Sequence, residues 1–300
     1  MEKKSLILGC SAALGSEALY GLSYIFTKTA TNDATPLALL GWRFLVAFLV
    51  MSALILTKVI HVNFSGKKLM PVLLISLFDP VLYFIGETFG ISHTSASESG
   101  VFLACIPVAA LIASTVMLHK RPSRQQVIGI LITLIGVLIT VLASNATTSL
   151  SIIGYLFLLL AVCSYALYTV FVEKAVDFTG IEATYMMLIA GALVFVTLAL
   201  TEAKLNHSLT SLITLPMTDT AFLTAVLYQA IGSSVLALFL SNYAIAKVGV
   251  NRAASFIGIS TVVSIIAGVL FLGEHFGGYQ IIGAVIIITG VYLANMIIKI

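Results

Sequence analysis

Charge is what this sequence has least of. Only 9% of its 300 residues are Asp, Glu, Lys or Arg, against about 25% in an ordinary soluble domain. With 60% hydrophobic residues and a mean hydropathy of +1.13, that scarcity excludes a water-soluble globule and gives a polytopic membrane protein. The net charge of +3 is too small for a nucleic-acid-binding surface. Cysteine is also scarce. Cys10, Cys105 and Cys163 are odd in number, lack close partners and fall in apolar segments. They read as small buried hydrophobes, and a disulfide framework is excluded. No glycine-rich phosphate loop and no metal-spaced Cys or His pair is present, so no cofactor is expected and energy must come from gradients. The five histidines, His61, His93, His119, His207 and His275, fall in loops or at helix ends, which argues against a membrane enzyme.

Long apolar runs are what the sequence does have. A transmembrane helix needs about 20 mostly apolar residues. The runs predict ten, over roughly 5–26, 36–57, 69–91, 98–118, 125–143, 151–172, 183–201, 220–246, 253–272 and 279–298. The longest connection, 202–219, has room for a short interfacial helix. Lys3 and Lys4 precede the first run as in a signal peptide, but the run continues to about residue 26 and holds Glu17, so an uncleaved helix is expected. A cytoplasmic N-terminus puts twelve basic residues on inside segments and only Lys28 and Lys204 outside, with Arg43 inside the second span. The positive-inside bias therefore predicts both termini cytoplasmic, in the inner membrane of a bacterium.

Residues 97–140 align without a gap on 251–294, with 11 of 44 positions identical, among them Gly129 with Gly283 and Gly136 with Gly290. "SEALY" at 16–20 echoes "SYALY" at 164–168. The chain thus divides into five-helix halves, 1–145 and 146–300. Five is odd, so the second half enters the membrane inverted. Such repeats place a site near the midplane between the halves.

Gly21, Lys28, Pro36 and Arg43 stand in "YGLSYIFTKTATNDATPLALLGWRF", and Pro107 in "GISHTSASESGVFLACIPV". Glu274, Gln280, Gly283 and Gly290 stand in "FLGEHFGGYQIIGAVIIITGVYL". With these residues the sequence resembles the EamA-type ten-helix carriers of the drug/metabolite transporter superfamily. The resemblance implies a secondary transporter, with members carrying amino acids, amines, nucleotides, sugars or drugs, some by proton exchange and some by facilitated diffusion. Glu17, Asp79 and Glu87 lie outside the shared pattern.

A charged side chain at the bilayer centre costs about 2.5–3.5 kcal/mol on insertion scales, so such residues face a cavity or a partner. From the helical rise, Glu17 stands roughly 18 Å from the inner end of its span, Arg43 roughly 10 Å from the outer end, and Asp79 roughly 15 Å deep. Glu87 falls nearer the outer edge. Glu17, Tyr20 and Tyr24 share one helix face; Asp79, Tyr83 and Glu87 form a second stripe, and Tyr165 and Tyr168 a third. Carboxylates beside aromatic faces suit a cationic amine, and Arg43 suits a carboxylate. Glu17, Asp79 and Glu87 are the candidate proton-coupling acids, and the eight residues other than Glu87 are the candidate substrate ligands. Glu17 pairing with Arg43 as a structural bridge, and the tyrosines serving as helix packing, are the competing readings. Pro80 removes a backbone donor beside Asp79, freeing carbonyls near residue 76.

The expected function is a secondary transporter of a small polar or cationic metabolite, an amino acid, amine or drug-like compound, with proton exchange as the candidate coupling. Uncoupled facilitation of the same substrates is the alternative, ahead of a membrane enzyme or scaffold. The expected partners are the substrate, protons and the lipid bilayer, with the chain a monomer or homodimer.

Overall fold

The computed structural model describes residues 3–30, 34–93, 103, 105–142, 151–272 and 277–295. Among them every regular element is helical. Six stretches are long and apolar enough to cross a bilayer: Lys4–Thr27, Pro36–Leu56, Met70–Gly90, Ile152–Lys174, Gly180–Leu205 and Thr220–Val248. Shorter apolar helices accompany them. The chain is an all-α, multi-pass membrane protein.

In chain order, α1 is Lys3–Ala30 and α2 is Pro36–Leu56. The rod α3 runs from Met70–Ser76 across a kink within Leu77–Leu82 into Tyr83–His93. Next come α4 (Ile106–Leu118), α5 (Arg124–Leu142), α6 (Ile152–Lys174), α7 (Gly180–Leu205) and the short α8 (Leu209–Thr218). The rod α9 runs from Thr220–Leu227 through a π-helical segment, Tyr228–Ala237, into Leu238–Val248. The chain finishes with α10 (Val250–Ala254), α11 (Gly258–Leu272) and α12 (Gly278–Asn295).

The helix starts follow local chemistry. Thr35 caps α2 by accepting from the Ala38 amide, with Pro36 at the first helical position, where its missing N–H is no loss. Asp219 caps α9 by accepting from the Ala221 and Phe222 amides. Thr179 and Glu182 form a reciprocal capping box at α7. Glu182 also accepts from Lys67 Nζ at 2.6 Å and the Asn63 amide at 3.0 Å, tying the α2–α3 connection to α7. At the same end of the bundle, Glu173 pairs with Lys120 and accepts from the Val250 amide.

Two expectations need correction. The span at 253–272 is broken, because the chain turns between α10 and α11 and the Ser255 hydroxyl donates back to the Arg252 carbonyl. Such local bonds compete with the helical ladder. Cys163 is exposed and Cys10 and Cys105 are half-buried. In a bilayer an apolar segment faces lipid as readily as protein, so apolar surroundings in sequence do not imply a buried thiol. The connection 202–219 holds the short helix α8, which has no buried residue and is fastened by Trp42 Nε1 donating to the Leu212 carbonyl at 2.9 Å. Residues 94–102, including Glu98, and Glu274 lie outside the described residues.

Lipid tails are as apolar as leucine, so helix association rests on close packing and not on removal of apolar surface from water. The α5–α12 pair shows this. A Cβ on Gly129 would stand 2.6 Å from the Gly290 carbonyl oxygen, and one on Gly136 would stand 2.8 Å from the Gly283 oxygen. Only glycine permits that approach. Early residues of α5 meet late residues of α12 and the reverse, so the two helices run antiparallel. The remaining helices surround a core where α2 packs on α7, α3 on α6, and α1 on α9 and α11. Phe44 stacks on Phe195 at 5.1 Å there and meets Phe84 edge-on at 5.6 Å.

Candidate functional site

The polar side chains that the sequence spreads from Glu17 to Ser260 converge in this core. In α3, the residue before a proline is pushed out of the α region, and Asp79 is accordingly extended, with φ −141° and ψ 120°. Its side chain is 2% exposed, and Oδ1 has no hydrogen-bond partner. A buried polar atom without a partner is uncommon and marks a site to be explained. One turn before this kink the Ser76 hydroxyl donates to the Val72 carbonyl at 2.9 Å.

Arg43, on α2, is also buried. Its Nε donates to Ser234 Oγ at 2.6 Å and its Nη2 to Ser233 Oγ at 2.9 Å. The guanidinium lies over the Phe84 ring at 4.5 Å, a cation–π placement. Asp79 and Glu87 are both within electrostatic reach of it, but neither forms a salt bridge with it. The Glu17–Arg43 bridge weighed from the sequence is not formed. Arg43 turns toward α9, while Glu17 lies beside Ser260.

Glu17 borders a small cavity, with room for about one water molecule, lined also by Ser16, Tyr165, Thr169 and Ser241. Tyr20 lies one turn along α1, within reach of Arg43, Asp79, Tyr165 and Tyr168. The side chain of Tyr24 lies outside the described residues. Tyr83 donates to Glu87 Oε1 at 2.9 Å. Its ring is 5.5 Å from that of Tyr165, and Tyr165 is 5.3 Å from Tyr168. Tyr168 is fully buried and donates to Asn242 Oδ1 at 2.9 Å, with Ser241 Oγ at 3.3 Å. The Asn242 amide in turn donates to Thr184 Oγ1 at 3.0 Å. The structure thus brings Glu17, Tyr20, Arg43, Asp79, Tyr83, Glu87, Tyr165 and Tyr168 into one region.

Sequence reasoning missed the uncharged half of this region: Gln229, Ser233, Ser234, Ser241 and Asn242 on α9, and Ser260 on α11. The signal was available. "YQAIGSSVLALFLSN" places five such groups in a span otherwise apolar enough for lipid. Gln229 is wholly buried and donates to the Ser23 carbonyl at 3.0 Å and to Thr27 Oγ1 at 2.5 Å. Phe26 stacks on Tyr228 at 4.1 Å beside it. Together they fasten α1 to α9.

Chemically, the region offers a guanidinium, an acid with an open oxygen, and tyrosine faces between them. Among the described residues no three His, Cys, Asp or Glu side chains group as a metal site.

The EamA-like transporter family profile matches residues 7–142 and again residues 152–296. The uncharacterized transporter YcxC of Bacillus subtilis (strain 168) is 31% identical over 287 residues, covering 95% of this chain and 92% of that one. A protein of Salmonella typhimurium named "Probable amino-acid metabolite efflux pump" is 26% identical over 280 residues, 92% of this chain and 90% of its own. A crystal structure of 16% identity matches with a TM-score of 0.76 over 99% of both chains, a likeness of fold. With its membrane helices, its buried polar core and two profile matches covering nearly its whole length, the chain belongs to the EamA-like transporter family, and it is a secondary transporter and not an enzyme.

Proposed function

We propose that the protein carries a zwitterionic, amino-acid-like metabolite across the membrane by alternating access, outward and in exchange for protons. The observation that carries this reading is that Arg43 and Asp79 occupy one buried region without a salt bridge between them. Two opposite charges placed in reach of each other but held apart suit a ligand with both a carboxylate and an ammonium. Arg43 takes the carboxylate. Asp79 takes the ammonium, with the faces of Tyr20, Tyr83 and Tyr165 around it. A carboxyl that is neutral with a proton and charged against an ammonium exchanges the two, provided both cannot bind at once. Glu17, beside its cavity, passes the proton to one side, and Glu87, half-buried and bonded to Tyr83, passes it to the other. Export agrees with the name of the Salmonella typhimurium relative.

The proposal includes ten spans in two inverted halves, 1–145 and 146–300, with cytoplasmic termini. Support comes from the antiparallel α5–α12 pair, in which Gly136 meets Gly283 and Gly129 meets Gly290. These are the glycines that the internal repeat equates. Further support comes from the helix interruptions in α3 and α9, the third span of each half: a kink at Asp79 in one and the π-helical segment Tyr228–Ala237 in the other.

The test is counterflow in proteoliposomes. Vesicles are loaded with one unlabelled amino acid, amine or cationic drug and offered the labelled compound. Amino acids with both termini free should accumulate, and their methyl esters should not. Accumulation of simple amines alone would contradict the role of Arg43.

A further inference from the structure

Ser233 and Ser234 do more than fill space beside Arg43. The Nε and Nη2 atoms form the edge of a guanidinium that binds a carboxylate through two parallel hydrogen bonds. Both atoms are engaged here, at 2.6 and 2.9 Å, by two hydroxyl oxygens. Those oxygens stand where the two oxygens of a carboxylate would stand. Neighbouring residues on a regular α-helix do not face one another. That consecutive serines reach one guanidinium depends on the wider turns of the π-helical segment Tyr228–Ala237. Such segments interrupt helices mostly at functional sites. Both serines and Arg43 itself are buried. With this edge of the guanidinium occupied, no carboxylate binds it through two parallel hydrogen bonds unless the serines leave.

We infer that Ser233 and Ser234 are a built-in stand-in for the substrate carboxylate. They satisfy Arg43 while the site is empty, and a substrate displaces them as the π-helical segment of α9 shifts. This deepens the proposed zwitterion reading and rests on it. The device fits a transporter. A buried guanidinium without partners is costly, and the serines remove that cost in the empty carrier. They also reject ligands lacking a carboxylate, because only an anion outcompetes two neutral hydroxyls for a guanidinium. The apparent affinity is then the intrinsic affinity multiplied by the fraction of carriers whose Arg43 is not engaged by the serines.

The test measures equilibrium binding of the twenty common amino acids, each as free acid and as α-carboxamide, to purified wild-type protein. The same is done for S233A, S234A, the double variant and R43Q. The inference predicts that the double variant binds the acids about tenfold more tightly than wild type, with the single variants between. The carboxamides should bind poorly throughout. The acids should also raise the melting temperature of the double variant more than that of wild type, because they restore what the serines supplied. Unchanged or weaker acid binding in folded single and double variants, with binding lost in R43Q, would overturn the stand-in and leave Arg43 as the carboxylate site. No acid binding in any form, or R43Q binding as well as wild type, would overturn the zwitterion reading and the stand-in with it.

Discussion

Arg43 and Asp79 lie within electrostatic reach in the buried centre of the bundle and do not pair. The guanidinium is held by Ser233 and Ser234, and Asp79 Oδ1 is held by nothing. An acid kept there for structure would be bonded, since an unpartnered buried polar atom costs about 1–3 kcal/mol. Asp79→Asn should therefore leave the fold intact, with a melting temperature in detergent no lower than that of wild type. A variant that unfolds would show that the acid has a structural role.

Glu17 is separate from that pair. It faces the cavity shared with Ser16, Tyr165 and Ser241 and is not bridged to Arg43. Glu17→Gln keeps the shape and removes the exchangeable charge. Substrate binding should change by less than about threefold, whereas proton-coupled exchange should fall to background. Binding lost together with exchange would make Glu17 a substrate ligand, and coupling retained would remove it from the mechanism.

Asn242 has the opposite character. It accepts from Tyr168 and donates to Thr184, joining α6, α7 and α9 with no exposed surface. Asn242→Ala strands both partners and should lower stability by about 1–3 kcal/mol, read from thermal unfolding in detergent. A loss below about 0.5 kcal/mol would show that the network is dispensable.

The contact between α5 and α12 predicts a graded series. A Cβ on Gly290 would stand 2.6 Å from the Thr133 backbone nitrogen, while one on Gly278 would meet nothing within 4 Å. Gly290→Ala should destabilise by about 1–3 kcal/mol through overpacking, and Gly278→Ala should be neutral. Equal tolerance at both positions would contradict the antiparallel packing described here.

The charged half of this molecule was legible in its sequence, and the uncharged half was not. Glu17, Arg43 and Asp79 stand out because charge in lipid is expensive whatever surrounds it. Composition alone therefore marks them as interior, and all three are buried. Which of them pair depends on helix rotation, and spacing along separate helices does not carry that. The Glu17–Arg43 bridge, the competing reading of Glu17, is absent for this reason. Ser233, Ser234 and Asn242 went unnoticed because a serine or asparagine costs little against a neighbouring helix, and hydropathy averages such residues away. The glycines of the repeat were visible as aligned positions, but their meeting across α5 and α12 needed the three-dimensional arrangement. The break at Ser255–Ile257 was hidden because hydropathy does not register a hydroxyl bonding back to its own chain.

The most direct test of exchange at Asp79 is proton movement in proteoliposomes containing a trapped pH dye, for wild type and Asp79→Asn side by side. The substrate is an amino acid that accumulates in counterflow. Adding it should shift the internal pH with wild type and not with Asp79→Asn, which stays folded but, lacking the charge that meets the ammonium, binds the compound more weakly. A pH shift that persists in Asp79→Asn, or labelled uptake by wild type with no pH shift at all, would contradict proton exchange at Asp79 and leave an uncoupled carrier.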